Sequence, residues 1–155
     1  RDRWDGSDAS RPLTERGVKQ AAADVATLET WRPKRIVTSD AVRCVTTVAP
    51  LAAATGIKPH RDHDISQDAY EKGRGDVRGV VGKRVRSRKT AVLCSHGPVL
   101  PEIMREIALA TGTMPGAYLD DAADLDTGGF SVVHLSATNP ASGIVSIETY
   151  APVEG

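Results

Sequence analysis

The stretch that most constrains the fold of this chain runs from Thr90 to Leu100, with the sequence T-A-V-L-C-S-H-G-P-V-L. Its apolar run, residues 91–94, is too short for a helix and predicts a buried strand. The apolar residues that follow recur at helical spacing, and Pro98 is expected as the first helical residue. His96 is therefore expected between the carboxyl end of a strand and the start of a helix, where open α/β sheets bind ligands. The alternative is a loop histidine without a function.

The rest of the chain repeats this alternation of strands and helices. The expected elements are a helix from residue 14 to 32, a strand at 35–39, a helix from 40 to 56, a strand or extended loop at 58–65, a helix at 76–88, the strand and helix around His96, and two strands at 130–136 and 144–150. The first helix is expected to bury Val18 with the apolar residues that follow it, and Ser39 or Asp40 to cap the second. Residues 113–129 are expected to be an irregular acidic connection. This order predicts an α/β domain with a mostly parallel sheet.

The composition argues against a nucleic-acid-binding protein and against a membrane protein. The 155 residues fit one domain, and 20 Lys and Arg balance 20 Asp and Glu, so no net field favours nucleic acid or an acidic membrane. No run approaches a membrane span, and no signal peptide is visible. Cys44 and Cys94 each lie on a predicted apolar face, which indicates reduced core residues of a cytoplasmic protein.

A second junction resembles the one around His96. The run Ser39-Asp40-Ala41-Val42-Arg43 also follows a predicted strand and opens a predicted helix. Parallel strands end at the same edge of a sheet, so Arg43, His96 and two helix N-termini are expected near one pocket. Such a group suits a phosphoryl dianion, whose transfer depends on positioning and charge stabilisation. The alternative is that Arg43 is a surface residue of its helix.

Other polar clusters are weaker candidates. His60 and His63, in the run H-R-D-H-D, would point to opposite faces of an extended segment, so no metal site is predicted there. Four aspartates lack the spacing of a calcium loop and are expected to be solvated; they are Asp120, Asp121, Asp124 and Asp126. His134, in a predicted strand, is expected to be structural.

Four motifs in this order resemble the histidine phosphatase (phosphoglycerate-mutase-like) superfamily, in particular its SixA-type branch. They are R-P-L-T-E-R-G, T-S-D-A-V-R-C-V-T-T, S-H-G-P and G-G-F-S-V-V. The opening R-D-R-W-D-G-S-D-A-S-R-P-L-T also resembles the C-terminal domain of mycobacterial MutT-type Nudix hydrolases. The resemblance covers nearly the whole chain. It implies a single histidine-phosphatase-like domain over residues 1–155, with three layers and helices on both faces of a mostly parallel sheet.

The resemblance also implies roles for individual residues. Arg43 and His96 would be the second arginine and second histidine that bind the phosphoryl oxygens, and Ser39 and Gly97 beside them would contact the substrate. The general acid would be one of two carboxylates, Asp68 or Glu71.

The family's nucleophile is a histidine in an Arg-His-Gly or Arg-His-Ala motif, which this sequence lacks. In the family that motif follows a central N-terminal strand. We therefore expect this chain to be a fragment that lacks one central strand, with unpaired strand edges on either side of its place.

For the complete protein, the resemblance implies hydrolysis of oxidised guanine nucleoside triphosphates (8-oxo-dGTP, 8-oxo-GTP) or diadenosine polyphosphates. Magnesium would belong to an upstream Nudix domain, and no cofactor or metal is expected in this one. The expected partners are a phosphorylated small molecule or nucleotide and the upstream segment, with a homodimer left open. Two alternatives are a stand-alone SixA-type phosphohistidine phosphatase and a non-catalytic module for phospho-ligand binding or dimerisation.

Overall fold

The computed structural model describes residues 4–153 and builds an α/β fold with three layers. Its helices are α1 (Glu15–Glu29), α2 (Val42–Thr55), α3 (Gln67–Glu71), α4 (Val77–Ser87), α5 (Leu100–Thr111) and α6 (Ala117–Ala123). Its strands are β1 (Arg35–Thr38), β2 (His60–Arg61), β3 (Ala91–Cys94), β4 (Phe130–Leu135) and β5 (Ile144–Tyr150), and single 3-10 turns form at Asp8–Ser10, His63–Ile65 and Pro140–Ser142. Residues 1–3 of the opening motif lie outside the described part.

The parallel sheet has the order β2-β1-β3 and carries helices on both faces. Successive side chains of β1 point to opposite faces. Ile36 packs on one face against α1 and α2, while Val37 packs on the other against α4 and α5. This alternation buries both faces of the strand, as the apolar run at 35–38 predicts, and confirms the expected fold class.

The remaining two strands form a separate antiparallel sheet, β4–β5. Among the described residues, β3 pairs only with β1, and β4 pairs only with β5. Every residue of β3 and β4 is half-buried, whereas Ile36, Val37 and Thr38 of β1 are buried. The end strands of both sheets, β3 and β4 among them, therefore each have one edge that no described strand covers.

The connection between residues 113 and 129 is not irregular throughout, contrary to expectation. It contains α6, whose Leu119, Ala122 and Ala123 are buried against α5 and the β4–β5 hairpin. These three positions have helical spacing, but aspartates between them make the segment look solvated. The four aspartates named above are exposed, so the acidic face of α6 and the loop after it lies in solvent.

The helices predicted at residues 40–56 and 76–88 form within two residues of those bounds. Thr14 caps α1, Gly56 and Gly112 end α2 and α5 in the left-handed conformation, and Asp76 caps α4. Within residues 4–153, the helices include none that is long and apolar enough to cross a membrane.

Three local predictions were wrong. Val18 is exposed because α1 turns a polar strip inward, burying Gln20 and Asp24 instead. Pro98 lies in a turn before α5, which begins at Leu100. The N-cap of α2 is Ala41; the Ser39 side chain instead contacts His96 and the Ala41 N–H, and that of Asp40 contacts His63.

Candidate phosphate-binding site

The two strand-to-helix junctions meet at one point, as predicted. Arg43 is the second residue of α2, and His96 lies two residues beyond β3. The Nη2 atom of Arg43 is 2.9 Å from Nδ1 of His96. β1 and β3 are parallel neighbours, so the loops that follow them leave the sheet at the same edge. That shared edge accounts for the contact across 53 positions of sequence.

The hydrogen bonds of His96 fix its tautomer. A guanidinium can only donate, so Nδ1 of the buried ring accepts from Arg43 and carries no proton. Nε2 then carries the proton and donates to Ser39 Oγ at 2.8 Å. Ser39 is fully buried and also accepts from the backbone N–H of Ala41. Ser39 therefore orients the histidine.

The guanidinium of Arg43 already binds a carboxylate, that of Asp8. Its Nη2 donates to Asp8 Oδ2 at 2.9 Å, and its Nη1 donates to the Asp8 carbonyl at 2.8 Å. Arg11 Nε donates to the other carboxylate oxygen at 3.2 Å. Arg43 thus ties the N-terminal 3-10 turn to the start of α2, while Arg11, the residue that follows the turn, binds the same carboxylate from within the segment.

This arrangement favours the charged form of Asp8. Partial burial acts to raise its pKa, but hydrogen bonds and positive charge from Arg11 and Arg43 outweigh burial and lower that pKa. The cavity left beside Arg43 and His96 is only about 10 Å³, room for about one water molecule. A phosphoryl group can reach Arg43 only when the Asp8 carboxylate moves aside.

Of the residues predicted as general acids or substrate contacts, some line the cavity and others do not. Asp68 lines the cavity together with Gln67, both from α3. Glu71 is one turn further along the helix, where it accepts a hydrogen bond from Gln67 and does not line the cavity. Gly97 is exposed and also outside the lining, and a side chain at its position would meet no atom within 4 Å.

The thiol of Cys44 lies against the buried ring of His96. Cys44 Sγ is 3.6 Å from His96 Nε2 and 4.0 Å from Nδ1, and the residue is only 3% exposed. The neighbouring Cys94 thiol, with smaller contributions from His96 and the Arg43 charge, outweighs burial and lowers the pKa of Cys44. The hydrogen bond to Cys44 and burial raise the pKa of Cys94. Both cysteines are free thiols, as predicted.

The remaining histidines each lie close to a carboxylate, and the partner of His63, Asp40, also lines the cavity beside His96. His63 contacts Asp40 at 2.8 Å, His60 lies 3.8 Å from Asp62, and His134 contacts Glu148 at 2.7 Å across the hairpin. The described residues contain no group of three or more His, Cys, Asp or Glu side chains placed to hold a metal ion.

Sequence reasoning missed Asp8 and Gln67, and it named Asp68 without predicting the short helix α3 that carries it. Nothing separates Asp8 from the other polar residues of the first segment except Arg11 three positions later. For α3 a signal existed, because Ser66 precedes an acidic first turn and its Oγ accepts from the Ala69 N–H at 3.0 Å. Cys44 appeared only as a core residue, since the apolar spacing of α2 does not show what its thiol contacts.

The parallel sheet thus brings an arginine and a histidine together at one of its edges. A model of the histidine phosphatase superfamily (branch 1) matches residues 3–79. The chain belongs to the histidine phosphatase superfamily.

Individual relatives share sequence or fold with the chain. The 8-oxo-(d)GTP phosphatase of Mycolicibacterium smegmatis is 31% identical over 104 residues, which make up 67% of this chain and 32% of that protein. The alignment thus spans about a third of that relative's length. A Nakamurella multipartitia protein that carries the name phosphohistidine phosphatase SixA has a TM-score of 0.65 and 23% identity, covering 95% of this chain and 88% of its own. The mycobacterial glucosyl-3-phosphoglycerate phosphatase in complex with inorganic phosphate has a TM-score of 0.63 and 16% identity, covering 92% and 88%.

Proposed function

We propose that this chain is the phosphate-binding part of a phosphohydrolase that acts on nucleotides. The observation that carries the proposal is the 2.9 Å contact between Arg43 and His96, with the Asp8 carboxylate bound to the same guanidinium. A carboxylate and a phosphoryl group present similar oxygen acceptors to an arginine, so Asp8 occupies the place of the anion. The substrate would displace Asp8 and bind between Arg43 and His96.

Each group of this chain then has a defined task. Arg43 donates two N–H bonds to phosphoryl oxygens and offsets the charge that develops on them. His96, held by Ser39 through Nε2, turns Nδ1 toward the anion and donates once that atom is protonated. Asp68, at the cavity wall, is positioned to protonate the leaving group. Glu71 lies outside the cavity and is the weaker candidate for that proton transfer.

In this proposal the nucleophile comes from a segment outside the chain. The outer edges of β3 and β4 support it, because among the described residues β3 pairs only with β1 and β4 only with β5. A strand placed beside β3 would end next to Ser95 and His96, so a histidine just beyond it would face the anion. That strand would also join the two sheets.

Hydrogen exchange tests the added strand. In the complete protein we expect backbone amides of both β3 and β4 to be protected, and to exchange at least about tenfold faster in the isolated 155-residue chain. Amides of β1, which pairs on both sides here, serve as the internal control. Equal protection of β3 and β4 in both forms would contradict the added strand.

The nucleotide part of the proposal is supported by the M. smegmatis relative, which is named for 8-oxo-(d)GTP. We propose 8-oxo-dGTP, 8-oxo-GTP or diadenosine polyphosphates as substrates of the complete protein. In this proposal magnesium would serve an upstream Nudix domain of the complete protein.

Phosphate release from 8-oxo-dGTP by the complete protein tests this function. We expect His96→Ala to lower kcat/KM at least about a hundredfold, with His134→Ala, a paired histidine outside the site, as the matched control. The isolated 155-residue chain should show no turnover. Release that survives His96→Ala would overturn the proposal. Activity on a phosphohistidine peptide but not on nucleotides would instead favour the SixA-type alternative.

A further inference from the structure

Helix α1 lies across the space between the two sheets. Val25 of α1 and Val92 of β3 pack against the same core cluster, which also joins α1 to α2. Just beyond the end of α1, the ring of Trp31 meets Phe130 of β4 edge to face, with the ring centroids 6.4 Å apart. The same helix therefore reaches both strands whose outer edges no described strand covers.

Helix α5 covers the same space from the opposite face. Leu100 and Ile107 of α5 pack against the core cluster that Leu93 of β3 joins, and also against the cluster that Val133 of β4 joins. Every residue of β3 and β4 is half-buried, whichever face its side chain takes. The two uncovered edges thus bound a slot, with α1 on one face and α5 on the other. One extended segment in this slot would pair with both edges.

The face of α1 above the slot carries a carboxylate, that of Asp24. Gln20 of α1 lies against Gly128, two residues before β4, where a Cβ would meet Gln20 Oε1 at 2.7 Å. Successive residues of an α-helix are rotated by about 100°, so Asp24 is about 40° from Gln20 and about 100° from Val25 on the other side. Asp24 therefore lies between the strip of α1 that faces β4 and the strip that faces β3.

This carboxylate is buried without a donor. Asp24 is 8% exposed, and its Oδ1 has no hydrogen-bond partner among the described residues. Buried carboxylates in folded proteins are normally hydrogen-bonded or paired with a cation, because an unpaired buried charge is costly. The missing partner and the missing strand lie at the same place in the fold, below α1 and between β3 and β4.

We propose that Asp24 binds the strand that fills the slot, through a side chain of that strand that carries an N–H or O–H donor. The inference rests on the proposed function, in which an upstream segment of the complete protein supplies the strand. On the α5 side the slot is apolar, with Leu93 and Val133 beside it, so the donor belongs on the α1 side.

The pairing fixes the register of the added strand. Side chains of a strand alternate between its two faces, so a slip of one residue turns the donor toward the apolar α5 side and leaves Asp24 unpaired. The register in turn decides which residue follows the strand at the edge where Arg43 and His96 meet. Asp24 is thus a positioning residue for the nucleophile and does not touch the substrate.

Hydrogen exchange of the complete protein tests this role. We expect Asp24→Ala to speed exchange of the β3 and β4 amides at least about tenfold, because the strand that covers them is held less firmly. Asp24→Asn keeps the size of the side chain and should speed it at least about threefold, so the test does not depend on the folding of one variant. Amides of β1 are the internal control, and Asp126→Ala, in the exposed loop after α6, is the matched control.

Three results contradict the pairing. Unchanged exchange of β3 and β4 in both Asp24 variants overturns it, and so does an equal rise in β1, since Asp24 would then support the whole domain. Wild-type complete protein with unprotected β3 and β4 amides overturns it together with the added strand. Phosphate release from 8-oxo-dGTP by the wild type, lost in His96→Ala, still supports the proposed function after either of the first two results.

A double-mutant cycle tests the donor itself. Replacing the donor of the added strand by alanine should speed exchange of β3 and β4 as Asp24→Ala does, and combining the two changes should speed it no further. Effects that simply add would show that the two side chains do not interact. An added strand with no donor side chain on its α1 face would also overturn the pairing.

Discussion

Arg43 makes more contacts than one phosphoryl group would require. Its guanidinium donates to the Asp8 carboxylate and carbonyl, to His96, and at 3.4 Å to Gln67. Only the Asp8 side chain carries a charge that competes directly with a phosphate. The carbonyl contact would hold the N-terminal turn in place even without that charge.

Asp8→Asn should therefore tighten phosphate binding. The change removes the competing carboxylate and keeps the carbonyl that accepts from Arg43. The pair is partly exposed, with the Asp8 side chain 37% accessible, so we expect a gain of about threefold to tenfold in affinity. Calorimetric titration with orthophosphate measures it. Asp126→Asn, which removes the same charge from the exposed loop after α6, should leave the affinity unchanged.

Asp24 is buried without a full set of partners. It is 8% exposed, and its Oδ1 has no hydrogen-bond partner among the described residues. Burial raises its pKa above the ordinary value of 3.8. The charged form is therefore disfavoured in the folded state, and the cost is fully present above the raised pKa and falls as pH decreases through it.

Asp24→Ala should stabilise the isolated chain near neutral pH, by about 1 kcal/mol in the free energy of unfolding. The gain should shrink as the pH falls from neutral through the raised pKa of Asp24 toward the ordinary value of 3.8, because the native carboxyl then takes up its proton. Urea unfolding at both pH values measures the effect. Lys19→Ala, at an exposed position of α1, controls for helix propensity. A gain that does not depend on pH would mean that the charge of Asp24 is not its cause.

One short helix, α3, forms part of the wall of the cavity. α3 has five residues and carries Gln67 and Asp68, both of which line the cavity. A helix this short depends on its cap, because each unpaired N–H of its first turn is a large part of its hydrogen bonding. Ser66 supplies that cap from a buried position.

Ser66→Ala should cost about 1 kcal/mol of unfolding free energy, because the Ala69 N–H loses its side-chain acceptor. Thermal unfolding measures the loss. Ser146→Ala, on an exposed position of β5, is the control and should change stability little. Unchanged stability in Ser66→Ala would show that α3 is fixed by packing alone.

Prediction of helices and strands from the sequence worked best where a helix-ending residue or an apolar run gave a clear local signal. Thr14, Gly56, Asp76 and Gly112 marked helix ends that the structure shares, and the apolar run at 91–94 matches β3. Prediction failed where tertiary contacts override local pattern. α6 was missed because burial of Leu119 and two alanines is decided by α5 and the hairpin, not by the aspartates beside them.

The whole molecule is organised around a parallel sheet that ends at β3. The fold class and the meeting of Arg43 with His96 followed from strand order, because parallel neighbours present their loops at one edge. The Asp8 contact could not be predicted, since it joins residues 35 positions apart through a segment with no apolar pattern. The roles of Ser39, Gly97, Asp68 and Glu71 in catalysis stay predictions.

Phosphate binding by Arg43 tests the central claim most directly. Calorimetric titration of the complete protein with orthophosphate should show that Arg43→Met weakens binding about tenfold to a hundredfold, since one charge-assisted donor pair is lost. Arg78→Met, which removes the same charge from the exposed side of α4, should bind like the wild type. Equal phosphate affinity in the Arg43→Met and Arg78→Met proteins would contradict the phosphate site at Arg43 and His96.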